Sequence, residues 1–254
     1  MTPRPLIITG IGFLGLLTAL GGATAVTVSA STAIPSATAS ASASPSPSGA
    51  STAASRLAQL KERGAHAIAM RESALPQLAA DVTGGLGVTA GDKSNLLGQI
   101  QADESGLNAL NTTIQADTTY ATAHSDVELI VTDYHVFALE APKVHLVIAA
   151  DGETRVESLL GTTMPEVQSA ITASGASATE KAAAQAAYDD CVAKLAAAQE
   201  ATSGVSAEVI NLQPSGYPGN KSTLEAAHTS VTTARQDLKD CRQDLKSVRQ
   251  DLAA

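Results

Sequence analysis

The chain has 254 residues with 16 basic and 25 acidic side chains, a net charge of −9, no Trp and only 2% aromatics. Such acidity excludes nucleic-acid or anionic-membrane binding by bulk electrostatics, which needs a basic face. Alanine dominates the 44% apolar fraction, a composition that suits long, thin helix packing and leaves little material for an aromatic-lined ligand pocket.

The first 55 residues hold one charged side chain, Arg4. With the terminal amine it makes a short positive region ahead of the apolar run Leu6–Leu20, which has the length of a signal-peptide core. Cleavage is expected near Ala25 or Ala30, giving a signal peptide over 1–25. The competing reading is an uncleaved anchor, because Leu6–Ala30 is just long enough to span a bilayer. Residues 31–54 are almost entirely Ser, Ala, Thr, Pro and Gly and cannot bury enough apolar surface to offset ordering, so they are expected to be a disordered spacer.

From residue 55 the pattern turns helical. Leu57, Leu60, Ile68, Leu75, Leu78 and Val82 recur near helical spacing, and Pro76 is expected to kink or interrupt that helix. Glycines after Thr83 stop it. Thr89, three before Asp92, is a plausible N-cap for a second helix. Its stripe is Leu96, Ile100, Asp103, Leu107, Leu110 and Ile114, broken once by the carboxylate. Short glycine turns between such stripes imply antiparallel neighbours.

Val127–Ala150 is the most apolar internal stretch. We read it as a helix, a break at Glu140-Ala141-Pro142 and a new helix with Pro142 in its first turn. Two short strands around Pro142 remain the alternative. The new helix is expected to weaken at Gly152 and near Pro165. These elements make residues 55–174 an antiparallel helical bundle.

Residues 175–254 read as a coiled-coil-like helical hairpin. One run goes from Ala184 through Tyr188, Cys191, Leu195 and Ala198 to Leu212. A second goes from Leu224 through Val231, Leu238, Cys241 and Val248 to Leu252. Both step by alternating fours and threes, the heptad signature, and Arg-Gln-Asp-Leu repeats at Arg235, Arg242 and Arg249. Pro214–Gly219 forms the turn, and Ser222 with Glu225 is expected to cap the returning helix. Cys191 and Cys241 lie equally far from Gly216 on their apolar stripes, so folding the hairpin brings them together. In an exported chain such a pair forms a disulfide, stabilising by about 4 kcal/mol for a ~50-residue loop. Asp189 and Asp190 would raise the Cys191 thiol pKa, which argues against a reactive nucleophile there.

Signatures for phosphate, dinucleotide, zinc-protease, calcium-loop or serine-hydrolase chemistry are missing. His66, His124 and His228 are scattered. His135 and His145, flanking Pro142 with Asp133 and Glu140 nearby, are the best available metal or acid–base constellation, although a lone His beside an apolar run is usually structural. No catalytic, cofactor or metal residue is therefore assigned.

The stretch from about Arg56 to Asp151 resembles a group of uncharacterised exported helical proteins of actinobacteria. The likeness is carried by Leu96-Leu97-Gly98-Gln99-Ile100, by Gly106-Leu107 with Leu110, and above all by Thr132–Leu139 with Pro142–Asp151. It implies secretion and a helical fold and brings no activity, cofactor or site residue. The expected function is an exported, non-enzymatic helical scaffold or partner-binding protein of the envelope or medium. It would use a protein partner or self-association through its helices, bind no nucleic acid, and touch the membrane only if the amino-terminal segment stays uncleaved. The alternatives are a membrane-active protein whose Val127–Ala150 segment inserts, and a metal-dependent enzyme using His135 and His145.

Overall fold

A computed structural model describes residues 47–253. The expected signal peptide and most of the spacer lie outside the described residues. The described residues lie in one compact unit, and every regular element among them is helical.

Helix α1 spans Pro47–Gly84 without interruption. Its start lies inside the expected spacer, which corrects that boundary for residues 47–54. Ala and Ser add to an existing helix at little cost, and proline is at ease in a first turn. Pro76 does not break α1. It sits on the exposed side, where the carbonyl that loses its partner can bond water.

A glycine turn leads to α2, Ala90–Ala116. Thr89 caps it, its hydroxyl accepting from the Asp92 N–H at 3.0 Å and donating to the Asp92 carboxylate at 2.6 Å. Gly87 holds this turn at φ 98°, where an added Cβ would come within 2.8 Å of the Asp151 carbonyl oxygen. Helix α3, Tyr120–Thr132, follows.

The expected break at 140–142 is found earlier and is of a different kind. The chain turns at Asp133–His135, makes a single π-helical turn over Val136–Glu140, and continues directly into α4, Ala141–Ala173. His135 has φ 38°, the left-handed region that side chains avoid. Its carbonyl accepts the N–H groups of Ala138, Leu139 and Glu140 together. Pro142 does stand in the first turn of α4. Gly152 and Pro165 leave α4 unbroken, Pro165 again being exposed. The strand alternative is not realised.

Helix α5, Ala178–Thr202, opens on a full capping box of Ser177 and Glu180. The first run of heptads is not one helix. Ser203-Gly204, with Gly204 at φ 76°, separates α5 from the short α6, Val205–Ile210. After a loop with one 3-10 turn at Pro214–Gly216, α7 runs Asn220–Asp251. Ser222 does not cap it. The helix starts two residues earlier, and the Ser222 hydroxyl donates to the Gly219 carbonyl from inside the first turn.

Burial divides the molecule into two regions joined by α4 and α7. The larger core gathers Leu75, Leu96, Leu107, Ile130, Val144 and Val147 with Val209 and Val231 from the hairpin. The second packs Leu160 and Met164 of α4 against Cys191, Leu195, Leu238 and Cys241, and Ile171, Ala184 and Val248 close its far end. The boundary expected at 174 is therefore a short connection between α4 and α5. It does not separate two cores, because the turn end of the hairpin is buried in the bundle.

Candidate functional site

The most unusual chemistry lies where the π turn meets α2 and the end of α6. Lys143 and Glu140, one turn apart on α4 and its lead-in, are 2% and 3% exposed. The Lys143 ammonium lies 2.7 Å from Glu140 Oε2, donates to Gln99 Oε1 and reaches the Leu212 carbonyl at 3.3 Å. Its three protons thus have three acceptors. Gln99 in turn donates to the Ile210 carbonyl at 3.1 Å. The Ile210 carbonyl is one that a helix end leaves unsatisfied, and Leu212 lies in the loop just beyond, so Gln99 finishes the end of α6 and Lys143 holds the loop that follows it. A buried ion pair with this many partners offsets its desolvation better than an isolated one. Glu140 Oε1 nevertheless finds no partner.

Asp103 completes the cluster. It is the residue that interrupts the apolar stripe of α2. Burial pushes its carboxyl up to about 7, with the Glu140 carboxylate adding to the rise and Lys143 opposing it. Tyr134 lies over Gly106, where an added Cβ would come 2.5 Å from the phenol oxygen. The Tyr134 hydroxyl is pushed up by burial and then by Asp133 and Asp103. Chemically the cluster can hold a proton on Asp103 near neutrality, and it ties α2, α4 and α6 together.

A second cluster centres on Asp151, 7% exposed. It accepts from the Ser206 hydroxyl at 2.6 Å and the Thr89 N–H at 3.3 Å, joining α4 to α6 and to the cap of α2. Burial raises its pKa, the Ser206 and Thr89 bonds oppose the rise, and Asp92 adds to it. Beside it lies an open depression of about 350 Å³ lined by Thr89, Thr154, Arg155 and Ser158. Glu157, 4% exposed, accepts from the Thr202 hydroxyl at 3.0 Å and is likewise raised by burial. Asp151-Gly152-Glu153 is therefore helix, with one carboxylate bonded inward and Glu153 paired to Arg235 at 2.8 Å.

His135 and His145 are not assembled into a site. The His135 ring packs on Tyr217 with centroids 4.3 Å apart. Burial lowers its pKa, as does Arg71, while Asp133 opposes them. His145 is exposed and lies 3.4 Å from Asp81. Glu140 belongs to Lys143. Among the described residues no group of three or more His, Cys, Asp or Glu could hold a metal ion.

The sulfurs of Cys191 and Cys241 are 1.97 Å apart, at disulfide distance, and both residues are fully buried between α5 and α7. Sequence reasoning reached this pair. Helical spacing does not mark Lys143, and it shows Asp103 only as an interruption of the α2 stripe. The signal that could have found Lys143 is its place inside the apolar run Val136–Ala150, where a lone lysine must either snorkel or be paired. Compared with known proteins, the chain matches no family model, no curated protein and no solved structure.

Proposed function

We propose that the chain is an extracytoplasmic, non-enzymatic helical scaffold that acts by binding a protein through its helix surfaces. The observation that carries the compartment is the buried Cys191–Cys241 pair, the chain's only two cysteines, at disulfide distance. Such bonds persist in oxidising compartments and are rare in the cytosol. Supporting the scaffold role, the buried polar side chains bond to one another and to the backbone: Lys143 to Glu140 and the Leu212 carbonyl, Asp151 to Thr89 and Ser206, Glu157 to Thr202. The apolar segment 127–150 supports it too, since Ile130, Val136, Leu139, Val144 and Val147 are buried in the core. No helix of the described residues is long and apolar enough to cross a membrane.

The test is fractionation of cells making the native chain, with cross-linking before lysis and thiol alkylation without reductant. Recovery from medium or envelope, cross-linked to a protein and with no alkylatable thiol, is the expected result. A chain retained in the cytosol with two reactive thiols would overturn the reading.

A further inference from the structure

The last three heptads of α7 sort their charges by side. At 100° per residue, Arg235, Lys239, Arg242, Lys246 and Arg249 fall along one flank of the helix, and Asp237, Asp240, Asp244 and Asp251 along the other. Gln236, Gln243 and Gln250 run between them on the outer face, opposite the buried seam of Leu238, Cys241 and Val248. Packing places the two flanks. Arg235 bonds Glu153 of α4 at 2.8 Å, so the basic flank lies along α4. Lys194 of α5 bonds Asp244 at 2.6 Å, so the acidic flank lies along α5.

Among the described residues the basic flank beyond Arg235 has no partner. Glu157 of α4 turns inward to Thr202, and Lys239, Arg242, Lys246 and Arg249 have no side-chain ion pair or hydrogen bond among the described residues. The Nε of Arg242 is even buried without an acceptor. These four cations cover about 15 Å of helix at 1.5 Å per residue. On the other flank, Asp190, Asp240 and Asp244 crowd the single cation Lys194, leaving an excess of negative charge at the same level of the hairpin.

We propose that this surface docks a second copy of the same chain, the basic flank of each α7 lying against the acidic flank of the other. The inference rests on the partner-binding reading above and names the partner. Charge complementarity selects this occupant. A long polyanion attracted to the cations would meet the acidic flank across one strip of glutamines, on a chain of net charge −9, whereas a partner carrying both signs in the same heptad register satisfies both flanks. Geometry also selects the orientation. Two α7 helices laid face to face and parallel, about a twofold axis along them, oppose basic to acidic on both sides and close the dimer. The antiparallel arrangement opposes like charges.

Sedimentation equilibrium of the full chain, in the form its cells export, tests this at about 20 mM and about 500 mM NaCl, a range over which screening removes contacts between exposed charges. A concentration-dependent dimer is expected, weakened at least roughly tenfold by the salt. Lys239→Glu/Lys246→Glu should be monomeric, as should Asp237→Lys/Asp240→Lys, each with native helicity by circular dichroism. An equimolar mixture of the two should form a heterodimer. A monomer at every salt and concentration overturns the inference, as does a dimer indifferent to salt or to the charge reversals. A chain that stays monomeric yet is cross-linked to another protein in its own compartment overturns this inference and leaves the scaffold reading standing.

Discussion

The two regions joined by α4 and α7 solve the same packing problem in opposite ways. The second region, around Leu160, Cys191, Leu238 and Cys241, is regular: heptad seams, small residues at close approach, and a disulfide-distance pair across the middle. The larger region is irregular. It contains a left-handed His135, a π turn and a buried lysine paired to a buried glutamate. The difference teaches where polar side chains are needed. A seam that repeats every seven residues satisfies its backbone by itself. A short helix such as α6, ending inside a core, leaves carbonyls that side chains from elsewhere must meet.

Breaking the irregular region should have the largest effect. Lys143→Ala strips the buried Glu140 of its cation and the Leu212 carbonyl of its donor, and should cost about 3–5 kcal/mol in urea unfolding. The double change Lys143→Met/Glu140→Leu removes both charges and should cost far less. If the double variant were no better than the single one, the ion pair would not be the source of the loss. The regular region should tolerate its own deepest cut slightly better. Replacing both Cys191 and Cys241 by Ala should cost about 2–4 kcal/mol, the range for closing a 50-residue separation, with the unfolding midpoint no longer sensitive to reductant.

Gly204→Ala probes the place where the first run of heptads is interrupted between the two regions. At φ 76° a Cβ is strained although nothing crowds it, and about 1–2 kcal/mol should be lost by thermal melting. A gain in stability would mean that α5 and α6 prefer to be one helix.

The smallest and most specific effect concerns Asp103. Its carboxyl is held up to about 7 in the folded chain against an ordinary 3.8. Between those values the folded state binds the extra proton, so stability falls as pH rises through that window and is flat above it. Asp103→Asn should change stability little at pH 3.8 and below, raise it progressively across the window, and raise it most at pH 8. The gain should be no more than about 1 kcal/mol, because the group is partly open to solvent screening. A variant with the same pH profile as the parent would remove Asp103 from the cluster.

Much of this architecture is legible residue by residue. Leu96, Ile100, Leu107, Leu110 and Ile114 are buried as their spacing predicts, and so are Ala184, Leu195, Ala198, Leu224, Val231 and Leu238. Thr89 caps α2 as expected. Other signals were present and outweighed. Gly204 follows Ser203 as a helix-ending glycine should, but unbroken heptads argued for continuity across it. Ser177 with Glu180 is a better capping box than Ser222 with Glu225, since α7 starts at Asn220 and places Ser222 inside its first turn. The helical start at Pro47 and the unbroken passage through Pro76 follow from propensity and exposure, which a rule about proline alone does not weigh.

By itself, the order of residues determined the helical class, the stripes that face inward, the hairpin and the opposition of Cys191 to Cys241, because each depends on spacing along a helix of known pitch. Tertiary structure alone decided which polar groups are buried together. Lys143, Glu140, Gln99 and Asp103 come from α2 and the start of α4, and the carbonyls they serve belong to residues 210 and 212. A charge repaid by partners so distant along the chain has no local pattern, and its desolvation becomes affordable only once all the helices have packed.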